Sequence, residues 1–277
     1  MLNKDYLFTD VDERAMAVPS KNAGFVLDSH GDSIFGRVLL PALKTKEERS
    51  PVLVLLHGYP GMEQNMDIAY ALRRAGVATV HFSYRGVWGG HGNYRFSHLI
   101  EDTFTVVEML RQRAEEYRLD PGRIYLFGHS MGGFAELNAI AKGLDVRGGI
   151  VVAPCDMAMR AMEEPAKYER MKQTPEKGFF RLPDADYLWG ELEENLEKWR
   201  FDALAARIPQ HMQLHFIGGT RDTAVPPQRH IYPLYELLRQ RGMKVSYQEL
   251  DTVHAFTGYR VTLARMVLDL LMEMEAQ

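Results

Sequence analysis

The segment from Ile124 to Lys142 constrains the fold of this chain more than any other stretch. An apolar, β-prone run leads into Gly-His-Ser-Met-Gly at residues 128–132, and a helix-compatible segment follows. A serine at a tight turn from a strand into a helix presents its hydroxyl above the sheet, and glycines flank it because side chains would collide there. The pattern predicts that Ser130 is a nucleophile at such a turn. The alternative is a serine without a catalytic role in a Gly-rich connection.

Apolar runs alternate with helix-compatible segments along the chain. We expect buried strands at 51–56, 77–82, 149–154, 212–217 and 244–250, besides the run before Ser130. We expect helices at about 65–75, 131–142, 229–241 and 260–274, and a further helix that begins with Ser97 as its N-cap. A hairpin is expected over 24–40. Continuous apolar strands alternating with helices are typical of a parallel sheet covered on both faces. The sequence therefore predicts an α/β fold, a mostly parallel twisted sheet with helices on both faces.

Length and composition favour one domain, residues 1–277, because the chain is long enough for one large α/β domain and short for two. The net charge of −4, with dispersed Lys and Arg, argues against a nucleic-acid surface. Residues 1–16 lack an apolar signal core, and no run approaches membrane-spanning length. The single cysteine, Cys155, fits a reducing compartment. We expect a soluble cytoplasmic protein whose first 20 residues form a loose arm or a short docking segment.

A serine hydroxyl needs a general base, and the base needs an orienting acid. The loops that follow the last two predicted strands carry Asp222 and His254. The chain order Ser, Asp, His is the order expected when the nucleophilic serine lies at a strand-to-helix turn. The carboxyl ends of parallel strands meet at one edge of a sheet, which would bring these loops to Ser130. We predict Ser130, Asp222 and His254 as the catalytic residues. Asp156, after another strand end, is the alternative acid.

An oxyanion hole needs two backbone N–H groups near the nucleophile. The N–H of Met131 follows the serine at a helix N-terminus, where the helix dipole favours negative charge. The second donor is expected from His-Gly-Tyr-Pro-Gly at residues 57–61, where we choose the N–H of Tyr59. His57 would brace that loop by a hydrogen bond, and a plain turn is the alternative interpretation.

Neither a metal nor a cofactor is predicted. No pair of histidines or carboxylates has ligand spacing on a helix, and a lone cysteine cannot anchor a thiolate site. Gly218-Gly219 is not followed by the Lys-Ser/Thr pair of a phosphate-binding loop.

Taken together, the 57–61 motif, the serine turn, the Asp222 loop and the His254 loop resemble an α/β-hydrolase in order and approximate spacing. The resemblance runs from about residue 24 to the C-terminus. The chain is similar to the prolyl-oligopeptidase-like branch (peptidase S9-like) and to feruloyl/cinnamoyl-type esterases, whose Arg-Gly loop is matched by residues 84–92. This resemblance implies the α/β-hydrolase fold and hydrolysis of an acyl bond through a serine acyl-enzyme. Full prolyl oligopeptidases carry a large N-terminal propeller, for which this chain has no room.

The segment 155–201 is too long for a simple connection and is rich in Met and aromatic residues. We predict a small helical cap insertion over the strand ends, with an ordinary crossover containing a long helix as the alternative. Aromatic residues of this segment and of the Arg-Gly loop would wall a substrate pocket. The predicted substrate-binding residues are Tyr84, Trp88, Tyr187 and Trp189.

The predicted function is hydrolysis of a carboxylic ester by a serine hydrolase of the carboxylesterase type. An amidase or small-peptide hydrolase would share every residue, and an acyltransferase or perhydrolase could use the same triad. A non-catalytic binding protein on the same fold is the alternative from another class. The expected partner is a small-molecule ester or short peptide, with no nucleic acid and no membrane, and a homo-oligomer is left open.

Overall fold

The computed structural model describes residues 2–59, 64–173 and 179–276. Eight strands in these ranges form one sheet, and they are β1 (Lys21–Ser29), β2 (Asp32–Leu40), β3 (Ser50–Leu56), β4 (Ala78–Ser83), β5 (Leu119–His129), β6 (Gly148–Val152), β7 (Gln213–Gly219) and β8 (Val245–Leu250). Their order across the sheet is β1-β2-β4-β3-β5-β6-β7-β8. The pairs β1–β2 and β2–β4 are antiparallel and the other pairs are parallel. The predicted hairpin and mostly parallel sheet are confirmed.

From β3 onward, helices alternate with the strands. The described part of the chain contains α1 (Met66–Arg74), α2 (Phe96–Gln112), α3 (Ala114–Tyr117), α4 (Met131–Ala141), α5 (Met157–Glu163), α6 (Pro165–Gln173), α7 (Ala185–Glu194), α8 (Leu196–Trp199), α9 (Phe201–Ala205), α10 (Pro227–His230), α11 (Tyr232–Gln240) and α12 (Arg260–Glu275). None of these helices is both long and apolar enough to cross a membrane. The helix predicted over 229–241 is divided into α10 and α11, because Pro233 in the first turn of α11 has no N–H to continue the hydrogen-bond pattern.

The sheet separates two hydrophobic cores. Alternate residues of β3 serve both: Val52, Val54 and Leu56 join the core that contains α2 and α4, whereas Leu53 and Leu55 join the core that contains α1 and α12. Successive side chains of a strand point to opposite faces, so a strand buried on both faces must be apolar throughout. This explains the continuous aliphatic run from which β3 was predicted.

The N-terminal segment is attached to the sheet side that carries α1 and α12. Leu7 is buried in that core. The Asn3 N–H donates to Ala75 O at 3.0 Å, and the guanidinium of Arg74 donates to Leu7 O at 2.8 Å. Of the two expectations for this segment, the docking segment is the one that the contacts support.

The start of α2 differs from the prediction. The helix begins at Phe96 with Arg95 at the N-cap position and no capping side chain, so Ser97 is not the N-cap. Instead, Glu191 of α7 accepts the Ser97 N–H at 3.2 Å and pairs with Arg95 at 2.9 Å. An acidic side chain near a helix N-terminus is favourable, and here it comes from 94 residues further along the chain.

The segment between β6 and β7 contains α5 to α9 and contacts the Arg-Gly loop at residues 84–92. An isolated antiparallel bridge joins Val87 to Phe180. The Trp88 N–H donates to Phe179 O at 3.0 Å, and the Arg181 N–H donates to Gly86 O at 2.8 Å. Residues 174–178 of the predicted cap insertion 155–201 lie outside the described residues, and the division into a domain and a cap stays a prediction.

Candidate active site

Ser130 occupies the turn between β5 and α4 with φ 58° and ψ −117°. A non-glycine residue with positive φ costs roughly 1–3 kcal/mol and persists only where its surroundings hold it. Here the Ser130 N–H donates to Val152 O, and the Cys155 N–H donates to Ser130 O, both at 3.0 Å. A Cβ at Gly128 would lie 2.5 Å from the carbonyl oxygen of Gly132, so the turn excludes side chains there. The strand-to-helix turn predicted from the sequence is present.

Ser130, His254 and Asp222 form one hydrogen-bonded line. His254 Nε2 lies 2.9 Å from Ser130 Oγ, and His254 Nδ1 lies 2.6 Å from Asp222 Oδ2. A carboxylate can only accept, so Nδ1 carries the ring proton and Nε2 is free to accept from the serine hydroxyl. Asp222 is buried, whereas His254 is half-buried. The structure thus brings together the three residues predicted from separate loops.

Two loops carry the acid and the histidine: the acid loop, residues 220–226, follows β7, and the histidine loop, residues 251–259, follows β8. Backbone bonds join them, since the Thr220 N–H donates to Leu250 O at 2.9 Å and the Arg221 N–H donates to Thr252 O at 3.0 Å. Asp222 Oδ1 accepts the Val225 N–H at 2.8 Å, which fixes the carboxylate within its own loop. The adjacent parallel strands β7 and β8 therefore place both side chains at the same sheet edge.

His129 supports the histidine loop, a contact that the sequence did not predict. Burial, together with the nearby His254, lowers the pKa of His129 to about 3, so the ring is neutral. Its Nε2 lies 3.0 Å from the backbone oxygen of His254, to which it must donate. His129, at the variable position of the serine motif, therefore holds the backbone of His254, the residue that contacts Ser130. The only sequence signal for this contact is the position of His129 beside the serine.

The predicted oxyanion donors flank Ser130. Met131 is the first residue of α4, where backbone N–H groups have no partner within the helix. A Cβ at Gly58 would lie 3.0 Å from Ser130 Cβ and 3.5 Å from its Oγ, so the loop after β3 lies directly against the serine. Tyr59 follows Gly58. Residues 60 and 61 of the motif lie outside the described residues, and the oxyanion role of the two N–H groups stays a prediction.

His57 is hydrogen-bonded within the loop that it was expected to brace. Its Nδ1 lies 2.9 Å from Gly58 O, so Nδ1 is the donor. Burial lowers the pKa of His57 to about 4, which keeps the ring neutral. The centroid of the His57 ring lies 4.6 Å from that of the Tyr84 ring.

Asp156, the alternative candidate for the catalytic acid, accepts hydrogen bonds from two backbone N–H groups. Asp156 Oδ1 accepts the Met159 N–H at 2.9 Å, and Oδ2 accepts the Phe201 N–H at 2.8 Å. Both oxygens therefore cap helices, α5 and α9, while Asp222 makes the contact with His254. Burial raises the pKa of Asp156 to about 6. In the described ranges, no three His, Cys, Asp or Glu side chains converge in a way that could hold a metal ion.

Two of the four predicted substrate-binding aromatics are interior residues. Tyr84 is 1% exposed, against His57 and Phe82, and Trp189 is 4% exposed, against Phe96. So little of either ring is exposed that neither lines an open cleft in this conformation, and their substrate-binding role stays a prediction. Sequence position placed them near strand ends, but packing turned their rings inward.

The other two predicted aromatics reach the surface. Trp88 is 38% exposed and packs edge-on against Phe179, at 4.7 Å between centroids. Tyr187 is half-buried, with the Arg95 guanidinium 4.8 Å from its ring centre. Phe180, which the sequence did not single out, stacks on Tyr59 at 4.7 Å between ring centroids. The surface beside the loop after β3 is therefore aromatic.

The Arg-Gly loop is held by a buried ion pair. Arg85 Nε donates to Asp102 Oδ1 at 2.7 Å, and the Arg85 N–H donates to Asp102 Oδ2 at 2.8 Å. Ser29 Oγ donates to the same carboxylate at 2.6 Å, and Glu101 accepts from Arg85 Nη2 at 2.6 Å. A buried charge needs such partners. Asp102 lies on α2, so no local motif could have paired it with Arg85.

The alpha/beta hydrolase family model matches residues 53–268 of the chain. This range begins within β3 and ends within α12, and it contains Ser130, Asp222 and His254. The match therefore includes the whole candidate site.

Among curated relatives, the uncharacterized protein YfhR of Salmonella typhi is 26% identical over 237 residues, covering 85% of this chain and 75% of YfhR. Dipeptidyl peptidase 4 of Sus scrofa is 25% identical over 224 residues, and the match covers 75% of this chain but only 26% of the peptidase. Most of that larger protein thus has no counterpart in this chain.

Among solved structures, Est1E from Butyrivibrio proteoclasticus with ferulic acid bound superposes with a TM-score of 0.67 at 19% identity. The superposition covers 91% of this chain and 100% of Est1E. It shows that the two chains share a fold. The predicted resemblance to both peptidase and esterase groups is confirmed.

Proposed function

Because the chain belongs to the α/β-hydrolase family, we propose that it is a serine hydrolase that cleaves a carboxylic ester through an acyl-enzyme. The observation that carries the proposal is the hydrogen-bonded line from Asp222 through His254 to Ser130, with distances of 2.6 and 2.9 Å. An ordinary hydroxyl is a weak nucleophile, and a base within hydrogen-bond reach activates it. A non-catalytic binding protein would have no need for all three residues in this arrangement.

In the acylation step, Ser130 Oγ attacks the ester carbonyl carbon while His254 Nε2 takes the hydroxyl proton. Asp222 stays ionised, holds the imidazole in the required tautomer and stabilises the imidazolium that forms. The N–H groups of Met131 and Tyr59 would donate to the oxyanion of the tetrahedral intermediate. The intermediate then expels the alcohol, which leaves with the proton from His254, and the acyl group remains on Ser130.

In the deacylation step, a water molecule gives a proton to His254 Nε2 and attacks the acyl carbon. The second tetrahedral intermediate breaks its bond to Ser130 Oγ, and His254 returns the proton to the serine. The net reaction consumes one ester and one water and releases one alcohol and one carboxylic acid.

A peptidase is the second candidate, and its specific support is the likeness to dipeptidyl peptidase 4. Amide cleavage would use the same residues but would require protonation of a poorer leaving group. Est1E, whose structure holds ferulic acid, supports a small-molecule substrate instead. We place a small-molecule ester first and a short peptide second.

The organisation and location of the protein belong to this proposal. We propose one α/β-hydrolase domain over residues 1–277 in which 155–201 is a cap insertion, supported by the contacts of Phe179 and Arg181 with the Arg-Gly loop. A cytoplasmic location is supported by the single cysteine, Cys155, which is free and buried.

The test is hydrolysis of p-nitrophenyl acetate, butyrate and octanoate and of the matching p-nitroanilides, with Ser130→Ala as the control. We expect ester hydrolysis that exceeds anilide hydrolysis, and a loss of roughly 10⁴- to 10⁶-fold in kcat in Ser130→Ala. Substantial ester turnover by the folded Ser130→Ala variant would contradict the proposal. Anilide hydrolysis at the ester rate would favour the peptidase.

A further inference from the structure

A buried arginine outside the triad binds the acid loop. Arg160 lies on α5 and is 5% exposed. Its Nη2 donates to the backbone oxygen of Ala224, two residues after Asp222. Lys167 Nζ, on α6, donates to the preceding carbonyl, Thr223 O, at 3.3 Å. Two cations from the segment between β6 and β7 thus hold consecutive carbonyls of the acid loop.

One peptide unit connects Arg160 to the catalytic carboxylate. The carbonyl of Ala224 accepts from Arg160, and the N–H of the same peptide, which belongs to Val225, donates to Asp222 Oδ1 at 2.8 Å. The other oxygen of Asp222 accepts from His254 Nδ1 at 2.6 Å. Hydrogen bonds in such a chain polarise one another, so a cation on the carbonyl strengthens the N–H as a donor. The line thus runs from Arg160 through one peptide and Asp222 to His254.

Arg160 is itself fixed by buried neighbours. Its Nε donates to Glu164 Oε2 at 3.2 Å, and Glu164 also contacts Lys167 at 3.3 Å and Arg229 at 3.5 Å. Burial alone would lower the pKa of Arg160, but nearby Cys155, Glu164 and Asp222 raise it above its ordinary value, so the guanidinium is charged.

His230 packs beside this guanidinium as a neutral ring. Burial, followed by the neighbouring cations, lowers the pKa of His230 to about 2. Its Nδ1 accepts the Asp156 N–H at 3.1 Å, so the ring proton lies on Nε2, which faces Glu164 Oε2 at 3.8 Å. The 3.3 Å approach of Arg160 Nη2 to Nε2 is therefore a packing contact that limits where the guanidinium can lie.

We propose that Arg160 is a positioning residue for the proposed reaction. It orients Asp222 toward His254 through the peptide between Ala224 and Val225, and it ties the segment between β6 and β7 to the catalytic line. The inference rests on the proposed function, but its most direct readout, the geometry of the Asp222–His254 pair, needs no turnover.

The test compares Arg160→Met, Arg160→Lys and the matched control Arg200→Met, whose partners Asp202 and Glu163 lie outside the acid loop. Steady-state kinetics on p-nitrophenyl acetate and the far-downfield proton NMR resonance of His254 Nδ1–H are measured on each full-length variant. In Arg160→Met we expect kcat to fall by about 10- to 100-fold with little change in KM, and the resonance to move upfield or broaden. Arg160→Lys should restore most of both, because lysine keeps a cation and an N–H donor, and Arg200→Met should match the wild type.

A folded Arg160→Met variant with wild-type kcat and an unmoved resonance would overturn the proposal. Equal losses in Arg160→Met and Arg160→Lys with an unmoved resonance would also overturn it, since they would mark a purely structural role. If circular dichroism shows that Arg160→Met does not fold, Arg160→Gln is judged by the same two readouts. An active Ser130→Ala variant would instead contradict the proposed function. The resonance of His254 would then test only the geometry of the Asp222–His254 pair.

Discussion

Gly132 lies so close to Leu56 that a Cβ on the glycine would stand 1.9 Å from the leucine carbonyl oxygen. Leu56 ends β3, and Gly132 is the second residue of α4. The contact joins backbone to backbone, so no side-chain rotation could relieve it. The absence of one side chain therefore lets the start of α4, and Ser130 just before it, lie against the end of β3.

Gly132→Ala should separate α4 from β3. Overpacking of this kind typically costs 1–3 kcal/mol. We expect the free energy of unfolding to fall by about 3 kcal/mol, because the clash is with backbone. Chemical denaturation measures the loss. Gly190→Ala on α7 is the control, since the nearest atom to its Cβ would be Asp186 Cβ at 3.9 Å and alanine favours helices. Equal stability of Gly132→Ala and the wild type would contradict the packing described.

Asp222→Asn should lower kcat by roughly 10³- to 10⁴-fold, because an amide neither holds the required tautomer nor stabilises the imidazolium. Asp156→Asn should change kcat far less, because Asp156 accepts from the N–H groups of Met159 and Phe201 and not from His254. Its cost should appear in stability, since the asparagine amide has one acceptor oxygen for two N–H groups. Both variants are compared by ester kinetics after thermal unfolding confirms that they fold. The opposite ranking would assign the acid role to Asp156.

Glu136 on α4 should make stability fall as the pH rises. Its carboxyl group is fully buried and packs against Gly128 and Gly149. Burial raises its pKa to about 8. The unfolded chain loses this proton near pH 4.5, whereas the folded protein keeps it until about pH 8. Stability is therefore fully present at low pH and declines toward pH 8, by at most about 1.4 kcal/mol per pH unit.

Glu136→Gln removes this titration. The free energy of unfolding of the variant relative to the wild type should increase between pH 5 and pH 8, as measured by urea denaturation. Glu194→Gln, at an exposed position, should give a constant difference. A constant difference for Glu136→Gln as well would show that the carboxyl group ionises normally.

Trp189 and Trp88 should respond differently to replacement by alanine. Trp189→Ala should cost about 3–5 kcal/mol of stability and affect all esters alike, because the ring is buried against Phe96 and Tyr168. Trp88→Ala should leave stability nearly unchanged and raise KM for bulky esters only, at roughly 25 cal/mol per Å² of lost apolar contact. A bulky-ester effect confined to Trp189→Ala would contradict these placements.

The fold was predictable because its signals are local. A strand such as β3, whose residues alternate between two cores, must be apolar throughout, and that pattern is visible in the sequence. The N-cap prediction for α2 was wrong, because it used the local sequence alone. Ser97 was assigned as an N-cap because Glu191, which takes up its N–H, lies 94 residues away.

The candidate site was predictable in part for the same reason. Ser130, Asp222 and His254 each follow a strand, and parallel strands bring their carboxyl ends to one edge. The direction of an aromatic ring depends on neighbours that periodicity does not reveal, so the sequence could not show that the Tyr84 ring packs against His57. The contact of Arg160 with the acid loop leaves no local signal, and the contact of His129 with the histidine loop leaves only the position of His129 beside the serine.

The nucleophilic role of Ser130 is tested most directly by reaction with a fluorophosphonate, followed by intact mass and peptide mapping. We expect a single adduct on Ser130 that is absent in Ser130→Ala and forms more slowly in Asp222→Asn. An adduct on another residue, or ester hydrolysis by a protein that forms no adduct, would contradict the role of Ser130 as the nucleophile.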